Sequence, residues 1–367
     1  MNIAKLNIIN FKNIKQAELN FTKKLNCLIG NNGAGKTNVI DALYYLSMCK
    51  SAFGLTDGQS VNHEEDFFLL DGQYGIDGRI ENILCSFKKG SGKVFKRNNK
   101  EYEKLSDHIG IVPVVLISPS DTSLINDSGD ERRRFMNSLL SQYDRIYIET
   151  LIKYNHILAE RNKLLKKNGS SDFHEILDVL DMQLASFGTV IHRKRSELVD
   201  KITPVIKKYY SLLSGQKEDI DLSYKSELND RDLYEILQNN RNKDIHMEHT
   251  TSGIHRDDIK FKISGYPIKK YGSQGQQKTF LISLKLSQFE IIAGKNGYLP
   301  ILLLDDIFDK LDLERVEKLI KMVLSDDFGQ IFLTDSNKVR LENLLNSFDD
   351  NYMLYTVDNG TINVMTE

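Results

Sequence analysis

The sequence predicts an α/β protein whose nucleotide-binding domain is split in two by an inserted helical arm. A phosphate-loop pattern, G-x-x-x-x-G-K-[ST], occupies residues 30–37. An apolar run closed by two carboxylates, residues 299–306, places Asp305 268 positions after Thr37. Between them, residues 130–213 show helical periodicity over long stretches. The predicted segments are residues 1–122 and 251–367 for the two parts of the nucleotide-binding domain and 123–250 for the arm.

Composition limits the classes of protein to which the chain can belong. With 367 residues, 40% of them hydrophobic, the chain is long enough for two or more domains with a real core. The formal net charge of −2 excludes a strongly basic protein, so any nucleic-acid contact must come from a local patch. Three scattered cysteines, a start without a signal-peptide core and the lack of a long apolar run predict a cytoplasmic protein.

The first part of the split domain is predicted to contain strands around one helix. Its strands are inferred from alternating or continuous apolar side chains, and apolar residues from Val39 onward recur at helical spacing. The phosphate loop therefore lies on a strand-to-helix turn, which is the context that this motif requires. The predicted strands are residues 3–11, 18–21, 24–29, 67–70, 83–87 and 111–117.

The phosphate loop has the residue types that a bound triphosphate needs. Its glycines let successive backbone N–H groups approach phosphate oxygens, and the following helix adds the positive end of its dipole. Lys36 is placed to contact the β- and γ-phosphates, and the Thr37 hydroxyl to ligate Mg²⁺. The alternative, a glycine turn that caps a helix and binds nothing, is disfavoured by the strand and helix around the motif. The predicted nucleotide-binding residues are Gly30, Asn31, Asn32, Gly33, Ala34, Gly35, Lys36, Thr37 and Asn38.

Basic residues are concentrated in two stretches. The first, residues 88–104, has two interpretations, a surface for a phosphate backbone or a solvated hairpin. The second decorates the arm, which is predicted as two long helices joined by a loop over residues 167–172. Long solvated helices carry such charges anyway, so the arm alone does not predict DNA binding. The basic side chains are Lys88, Lys89, Lys93, Lys96, Arg97, Lys100 and Lys104 in the first stretch, and Arg132, Arg133, Arg134, Arg161, Lys163, Lys166, Lys167, Arg193, Lys194, Arg195, Lys207 and Lys208 in the second.

The end of the arm has the weakest pattern. Residues 215–249 are polar, and we interpret them as a connection back to the main body. His246 and His249 have H-x-x-H spacing, but the sequence offers no third ligand nearby, so a surface position is favoured over metal binding. Residues 259–263 alternate like a strand, and Gly265 predicts a turn after it.

Two further segments carry chemistry. Ser273 and Gln276 have the S-x-x-Q spacing of a capping box, and they begin an amphipathic helix with an accessible hydroxyl beside Gly275. Downstream, an apolar strand closes with Asp305 and Asp306, and in a parallel sheet this end opens where the phosphate loop lies. Asp305 then fits a Mg²⁺ ligand, and Asp306 fits a group that orients or deprotonates the attacking water. Another buried strand is predicted at residues 330–334.

The order of these motifs resembles the ABC-type ATPases and, within them, the SMC-like branch. A phosphate loop, a Ser-x-Gly-Gln segment, two aspartates after an apolar strand and a Leu-Asp loop follow one another as in that class. Individual segments are more similar still to the RecF family of bacterial recombinational repair proteins. These segments are residues 10–13 (NFKN), 30–37 (GNNGAGKT), 118–121 (SPSD), 132–135 (RRRF), 253–258 (GIHRDD), 273–278 (SQGQQK) and 304–312 (LDDIFDKLD).

The resemblance implies an SMC/Rad50-like ATPase head without a long coiled coil. It also implies a homodimer that binds ATP and Mg²⁺, in which the Ser273–Gly275–Gln276 segment of one subunit closes over ATP held by the other. Lys36, Asp305, Asp306 and, in trans, Ser273 are then the catalytic residues. Family members bind duplex DNA at gaps and single-strand to double-strand junctions, and work with RecR and RecO to place RecA on DNA. A cytoplasmic, nucleoid-associated protein is therefore expected.

Three positions depart from the pattern of the wider class or stay unassigned. Asp306 stands where many ABC ATPases carry Glu, and its shorter reach suggests slow hydrolysis. Thr334 lies near the position of the switch histidine of transporters, which leaves the γ-phosphate sensor unassigned. The segment from Ser118 to Asp121 is the nearest candidate for the glutamine loop.

Three other functions were weighed against this one. An ATPase subunit of a membrane transporter would need a coupling groove, and the charged arm and the Gly-x-His-Arg-Asp-Asp segment argue against it. A long-range DNA tether would need heptads sustained over hundreds of residues, which are missing. An ATPase fused to a nuclease would need a further catalytic domain.

Overall fold

The chain is divided by its own contacts into two units. The computed structural model describes residues 1–167, 172–215, 218–307, 313–345 and 352–365. The first unit, which we call the split unit, comprises Met1–Asp121 and Lys278–Glu367, and the second, the arm unit, is Thr122–Gln277. The first boundary lies within one residue of the predicted one. The second lies at 277/278 rather than 250/251, because residues 258–263 pair with a strand of the arm unit.

The split unit contains strands from both ends of the sequence. Its strands are β1 (Asn2–Phe11), β2 (Ile14–Asn20), β3 (Leu25–Ile29), β4 (Phe67–Ile76), β5 (Arg79–Lys88), β6 (Gly92–Arg97), β7 (Lys100–Glu101), β8 (Val114–Ile117), β12 (Ile301–Leu304), β13 (Ile331–Asp335), β14 (Tyr352–Asp358) and β15 (Thr361–Val364). Its helices are α1 (Lys36–Met48), most of α8 (Gln274–Asn296), α9 (Leu313–Val323) and α10 (Lys338–Leu345).

The strands of the split unit form two sheets. One is antiparallel, in the order β2-β1-β4-β5-β6-β7, and the other is mixed, in the order β15-β14-β3-β13-β12-β8. In the mixed sheet β3, β13, β12 and β8 run parallel to their neighbours, and every residue of these four strands is buried. Strands covered on both faces are continuous apolar runs, which explains why they were predictable. The carboxyl ends of β3 and β12 therefore open at the same edge, with β13 between them.

Helix α1 packs against strands of both sheets. It contacts β1, β4 and β5 of the antiparallel sheet and β8 and β13 of the mixed sheet. Its apolar side chains Val39, Ile40 and Leu46 are fully buried, and the Tyr45 ring packs edge-on against Phe68 at 5.4 Å between centroids. Burial of large aromatic and aliphatic side chains around one helix fixes where the helix begins, and hence where the phosphate loop sits.

The arm unit consists of helices and a small antiparallel sheet. The helices are α2 (Ser123–Asn126), α3 (Gly129–Ser141), α4 (Arg145–Leu165), α5 (Phe173–Ser214), α6 (Leu233–Met247) and α7 (Ile268–Tyr271), and the strands are β9 (Ile220–Lys225), β10 (Asp258–Ile263) and β11 (Tyr266–Pro267), in the order β11-β10-β9. The long helices α4 and α5 match the predicted pair, and residues 168–171 of the predicted loop lie outside the described residues. No helix among the described residues combines the length and apolar content needed to cross a bilayer.

The interpretation of residues 215–249 as a mere connection was wrong. They contain β9 and the 15-residue helix α6, whose first turn is capped by the Asp232 carboxylate accepting from the Tyr234 N–H. The buried apolar side chains of helix α6 are Leu233, Ile236 and Leu237, and the next seven residues, 238–244, are all polar, so its apolar periodicity is short. A weak amphipathic stripe of this kind is hidden by its composition.

Two arginines of the arm are not on its surface. Arg161 is fully buried, and its guanidinium pairs with Asp181 at 2.6 Å and Asp244 at 2.7 Å. Arg195 is also buried and lies 3.2 Å from Asp257. The sequence pattern groups both with the solvated basic residues of the arm, and for these two side chains that interpretation is wrong. They hold the helices of the arm unit together instead.

Candidate functional site

The loop after β3 has a backbone path that its glycines make possible. A Cβ at Gly30 would lie 2.1 Å from the Val357 carbonyl oxygen of β14, which no side chain tolerates. Gly33 and Gly35 have φ values of +81° and +117°, in the left-handed region that favours glycine. Gly35 immediately precedes α1. The loop therefore exposes backbone rather than side chains at a helix N-terminus, as an anion site requires.

Asn13, in the turn between β1 and β2, braces this loop. Its Nδ2 donates to the Ala34 carbonyl at 3.2 Å, and its Oδ1 accepts from Asn38 Nδ2 at 2.6 Å. On the other side, the Gly360 N–H donates to the same Ala34 carbonyl at 2.8 Å. Residues 10–13 belong to the segments that carry the family resemblance, but the sequence predicts no role for Asn13, because nothing local relates it to a loop 20 residues away.

Lys36 is buried, and its ammonium is turned back onto its own loop. Its Nζ donates to the carbonyls of Gly30 at 2.6 Å and Asn31 at 3.0 Å. The side chain is thus held over the loop by neutral groups. Phosphate oxygens are stronger acceptors for an ammonium than carbonyls are, so this arrangement suits a lysine that exchanges partners when an anion arrives.

Two distant segments meet at Thr37. Its Oγ1 lies 3.0 Å from Oδ1 and 3.2 Å from Oδ2 of Asp305, the residue that follows β12. The Asp305 Oδ1 also accepts from the Thr334 hydroxyl at 2.8 Å, and the Asp306 N–H donates to that hydroxyl oxygen at 2.9 Å. The structure therefore brings together, within one unit, the two halves that the sequence separates by 268 positions.

The Asp305 carboxylate is in an environment that disfavours its charge. Burial raises its pKa, and the nearby Asp306 carboxylate raises it further. The hydroxyl bonds from Thr334 and Thr37 and the charge of Lys36 act in the opposite direction but do not cancel the burial effect. A cation beside Asp305 would favour the ionised form, and hydroxyl and carboxylate oxygens are the ligands that Mg²⁺ accepts. The residues present fit this ion.

A cavity of about 150 Å³ lies at this edge of the sheet. The predicted residues Lys36, Thr37 and Asp306 line it together with Thr334, and Asp306 has a left-handed φ of +48°. The remaining lining residues belong to the loop and the start of α1. They are Asn32, Gly33, Gly35 and Asn38.

Ser273 lies in the arm unit and is exposed at the start of α8. The predicted capping box is present, because the Ser273 N–H donates to Gln276 Oε1 at 2.7 Å and the Gln276 N–H to Ser273 Oγ at 3.3 Å. Gln276 also donates through Nε2 to Glu218 at 2.9 Å, and Gly275 lies between the two partners of the box. The Ser273 hydroxyl is thus held at a solvent-facing helix N-terminus. The Leu-Asp loop expected at residues 309–312 lies outside the described residues.

The basic hairpin is only partly available to a ligand. The Lys93 ammonium pairs with Asp57 at 3.0 Å and donates to the Cys49 carbonyl at 2.8 Å. Arg97 forms a two-point pair with Glu81, at 2.9 Å for each bond. Lys88, Lys100 and Lys104 are exposed in contrast. Both interpretations of this stretch stay open for the exposed lysines.

No His, Cys, Asp or Glu cluster of three or more that could hold a metal occurs among the described residues. His246 of the H-x-x-H pair is exposed, whereas His249 is half-buried and its Nδ1 lies 2.8 Å from the Met247 carbonyl oxygen. A phosphate-bound Mg²⁺ does not need such a cluster, because most of its ligands come from phosphate and water.

Proteins of one description are similar to this chain over nearly its whole length. The family model described as RecF/RecN/SMC N terminal domain matches residues 2–69. The DNA replication and repair protein RecF of Bacteroides thetaiotaomicron is 46% identical over 366 residues, which are 100% of this chain and 99% of that protein. The protein of the same description from Flavobacterium johnsoniae is 45% identical and covers 97% of this chain and 100% of its own length.

Solved structures agree with this grouping. A structure of "the recombination mediator protein RecF-ATPrS in RecFOR pathway" is similar with a TM-score of 0.89 and 27% identity, covering 100% of this chain and 98% of the other. The Smc head domain of Pyrococcus furiosus is similar with a TM-score of 0.57 and 16% identity, covering 99% and 95%. The second likeness shows the fold alone, and together they confirm the predicted ABC-type, SMC-like head.

Proposed function

Since this chain belongs to the RecF family of DNA replication and repair proteins, we propose that it binds Mg·ATP, dimerises on ATP and acts on DNA in recombinational repair. The observation that carries this proposal is the 3.0 Å approach of the Thr37 hydroxyl to the Asp305 carboxylate. It joins the phosphate loop to the end of β12 in the arrangement that a magnesium-bound triphosphate requires. RecF structures with ATP and ATPrS support ATP as the nucleotide.

The roles proposed for the site follow from the geometry. The loop N–H groups of residues 31–37 and the start of α1 bind phosphate oxygens, and Lys36 exchanges its carbonyl partners for them. Thr37 and Asp305 hold Mg²⁺, which when bound offsets the negative charge of the phosphates. Asp306, which lines the cavity, orients or deprotonates the attacking water. Its carboxylate is one methylene shorter than that of Glu, and slow hydrolysis is the expected consequence.

The dimer is proposed from the position of Ser273. An exposed, well-capped helix start offers a hydroxyl and N–H groups to an anion, and in this proposal the anion is the γ-phosphate of ATP held by a second copy. Neither half-site is then complete alone. Hydrolysis would separate the copies, so ATP gates the dimer.

The proposed substrate is duplex DNA at gaps and single-strand to double-strand junctions. Partners proposed from the family are RecR with RecO, for loading RecA, and the place of action is the cytoplasmic nucleoid. The solved relative's description as a recombination mediator in the RecFOR pathway supports this assignment. The arm unit's exposed basic side chains and Lys88, Lys100 and Lys104 are candidates for phosphate contacts.

Sedimentation with ATP and a gapped duplex tests the proposal. The wild type should be a monomer without nucleotide and a dimer with ATP, and Asp306→Asn should stay dimeric because it binds ATP without hydrolysing it. Ser273→Arg should bind ATP and remain monomeric. The matched control is Ser128→Arg, since Ser128 is another exposed N-cap serine of the arm unit. The proposal would be contradicted if Ser273→Arg formed dimers in ATP. It would also be contradicted if ATP changed neither the affinity for DNA nor its salt dependence.

A further inference from the structure

Thr334 lies on the middle of the three strands whose ends form the site. It lies near the end of β13, the strand between β3, which leads into the phosphate loop, and β12, which leads into Asp305. Its side chain is fully buried, yet Thr334 lines the same cavity as Lys36 and Thr37. A hydroxyl on the middle strand is therefore within reach of groups on both flanking strands.

The two hydrogen bonds of Thr334 have only one possible polarity. The backbone N–H of Asp306 can only donate, so the Thr334 oxygen accepts from it, at 2.9 Å. The single hydroxyl proton is then directed to the Asp305 carboxylate, at 2.8 Å. One hydroxyl thus fixes the carboxylate of Asp305 and the backbone of Asp306 together.

Thr37 cannot fix the Asp305 carboxylate in the same way if its hydroxyl oxygen ligates a metal. Its hydroxyl is shared between both Asp305 oxygens, at 3.0 and 3.2 Å, and its oxygen is the proposed Mg²⁺ ligand. The Thr334 bond is shorter and fully buried, and it uses a residue with no ligand role. Asp305 would therefore keep Thr334 as a fixed hydrogen-bond partner if the Thr37 oxygen ligated the ion.

We propose that Thr334 is a positioning residue that sets the Asp305 carboxylate for Mg²⁺ and holds the backbone of Asp306 in its left-handed conformation. This inference rests on the proposed binding of Mg·ATP. Valine has nearly the shape of threonine but has no hydroxyl group and cannot form these hydrogen bonds. In Thr334→Val the Asp305 carboxylate and the Asp306 N–H each lose a partner, whereas Thr334→Ser keeps both bonds.

The test compares ATP affinity in Mg²⁺ and in EDTA by calorimetric titration. For the wild type, Mg²⁺ should tighten ATP binding. Thr334→Val should bind ATP as the wild type does in EDTA but roughly tenfold more weakly in Mg²⁺, the effect of one charged hydrogen bond. Thr334→Ser should restore the Mg²⁺ effect. The matched control is Thr150→Val in the arm unit, which removes a hydroxyl that donates to the Ile146 carbonyl.

Equal weakening of Thr334→Val in Mg²⁺ and EDTA would show a merely structural role and overturn the inference. So would an unchanged Mg²⁺ effect in Thr334→Val, or its loss in Thr334→Ser. If Thr334→Val does not fold, Thr334→Ala compared with Thr334→Ser makes the same test. Failure of the wild type to bind ATP would instead reject the proposed function, which keeps the two outcomes distinct.

Discussion

The buried charges at the phosphate loop, Lys36 and Asp305, form their hydrogen bonds to neutral groups, whereas the buried arginines of the arm unit, Arg161 and Arg195, pair with opposite charges. Lys36 bonds to two carbonyls and Asp305 to two hydroxyls. Arg161 is paired with two aspartates and Arg195 with one. The field of a buried charge with neutral partners can still attract an incoming ion. The field of a buried charge with an opposite partner is largely cancelled by that partner. Burial alone therefore does not distinguish Lys36 and Asp305 from Arg161 and Arg195, but the kind of partner does.

The largest expected effect is in the arm unit. Arg161→Ala leaves Asp244 buried without its cation and Asp181 paired with Arg241, so the arm unit should lose about 3–5 kcal/mol of stability. Hydrogen exchange of α4 and α5 would measure this loss. ATP affinity should be unchanged, and a parallel loss of ATP binding would break the distinction between the two kinds of buried charge.

Acid should destabilise both units through one histidine in each. Burial lowers the pKa of His108, in the split unit, and of His255, in the arm unit, to about 4. Since each binds its proton more tightly when unfolded, the stability that it contributes is complete above pH 6.5 and is lost as pH falls toward 4. For His108 the loss is on the order of 3 kcal/mol.

The same pH range separates the two units experimentally. His108→Gln should flatten the acid loss of the split unit only, and His255→Gln that of the arm unit only, as followed by hydrogen exchange between pH 7 and 4. His156→Gln is the control, because the His156 side chain is 70% exposed. Flattening of both units by either variant would show that the histidines do not report on their own units.

Lys36→Ala should weaken ATP binding on the order of 100-fold, since a lysine that bonds phosphate directly contributes about 2–3 kcal/mol. Titration with ATP measures this change. Lys24→Ala is the matched control, because Lys24 likewise donates to backbone carbonyls of the split unit, including Leu324 at 3.1 Å. The two lysines should differ in ATP binding. Equal losses would mean that Lys36 acts only by supporting the fold.

The smallest expected effect is at an exposed ion pair. Arg145 and Glu149 of α4 lie 2.8 Å apart but are 54% and 49% exposed, so Arg145→Ala should change the stability of the arm unit by less than about 0.5 kcal/mol. Chemical unfolding compared with Arg161→Ala measures the contrast. A loss of about 3 kcal/mol or more, the range of a broken buried pair, would show that burial does not set the strength of these ion pairs.

Sequence reasoning predicted the strands and helices of the site because each has a strong local pattern. The buried strands β3 and β12, the loop between β3 and α1, and the capping box of Ser273 were all predictable from neighbouring residues. The placement of Asp305 beside Thr37 followed from the rule that parallel strands open at one edge. The residues' chemical roles stay proposals.

What sequence reasoning missed depends on partners that are distant along the chain. Arg161 pairs with Asp244 across 83 positions, and a basic residue on a helix has the same pattern whether it is solvated or buried. Asn13 meets the phosphate loop only after β1 and β2 have formed a hairpin. The contact of Thr334 with Asp305 could be predicted only from the order of strands in the sheet, which no local pattern specifies.

The hairpin of β14 and β15 supports the phosphate loop at two points. The Val357 carbonyl lies against Gly30, and the Gly360 N–H donates to the Ala34 carbonyl. A nonsense codon at position 357 would leave Lys36, Asp305 and Ser273 translated and yet remove both supports. Genetic screens should therefore recover null alleles in the codons for residues 357–360, a stretch that carries none of the proposed catalytic residues.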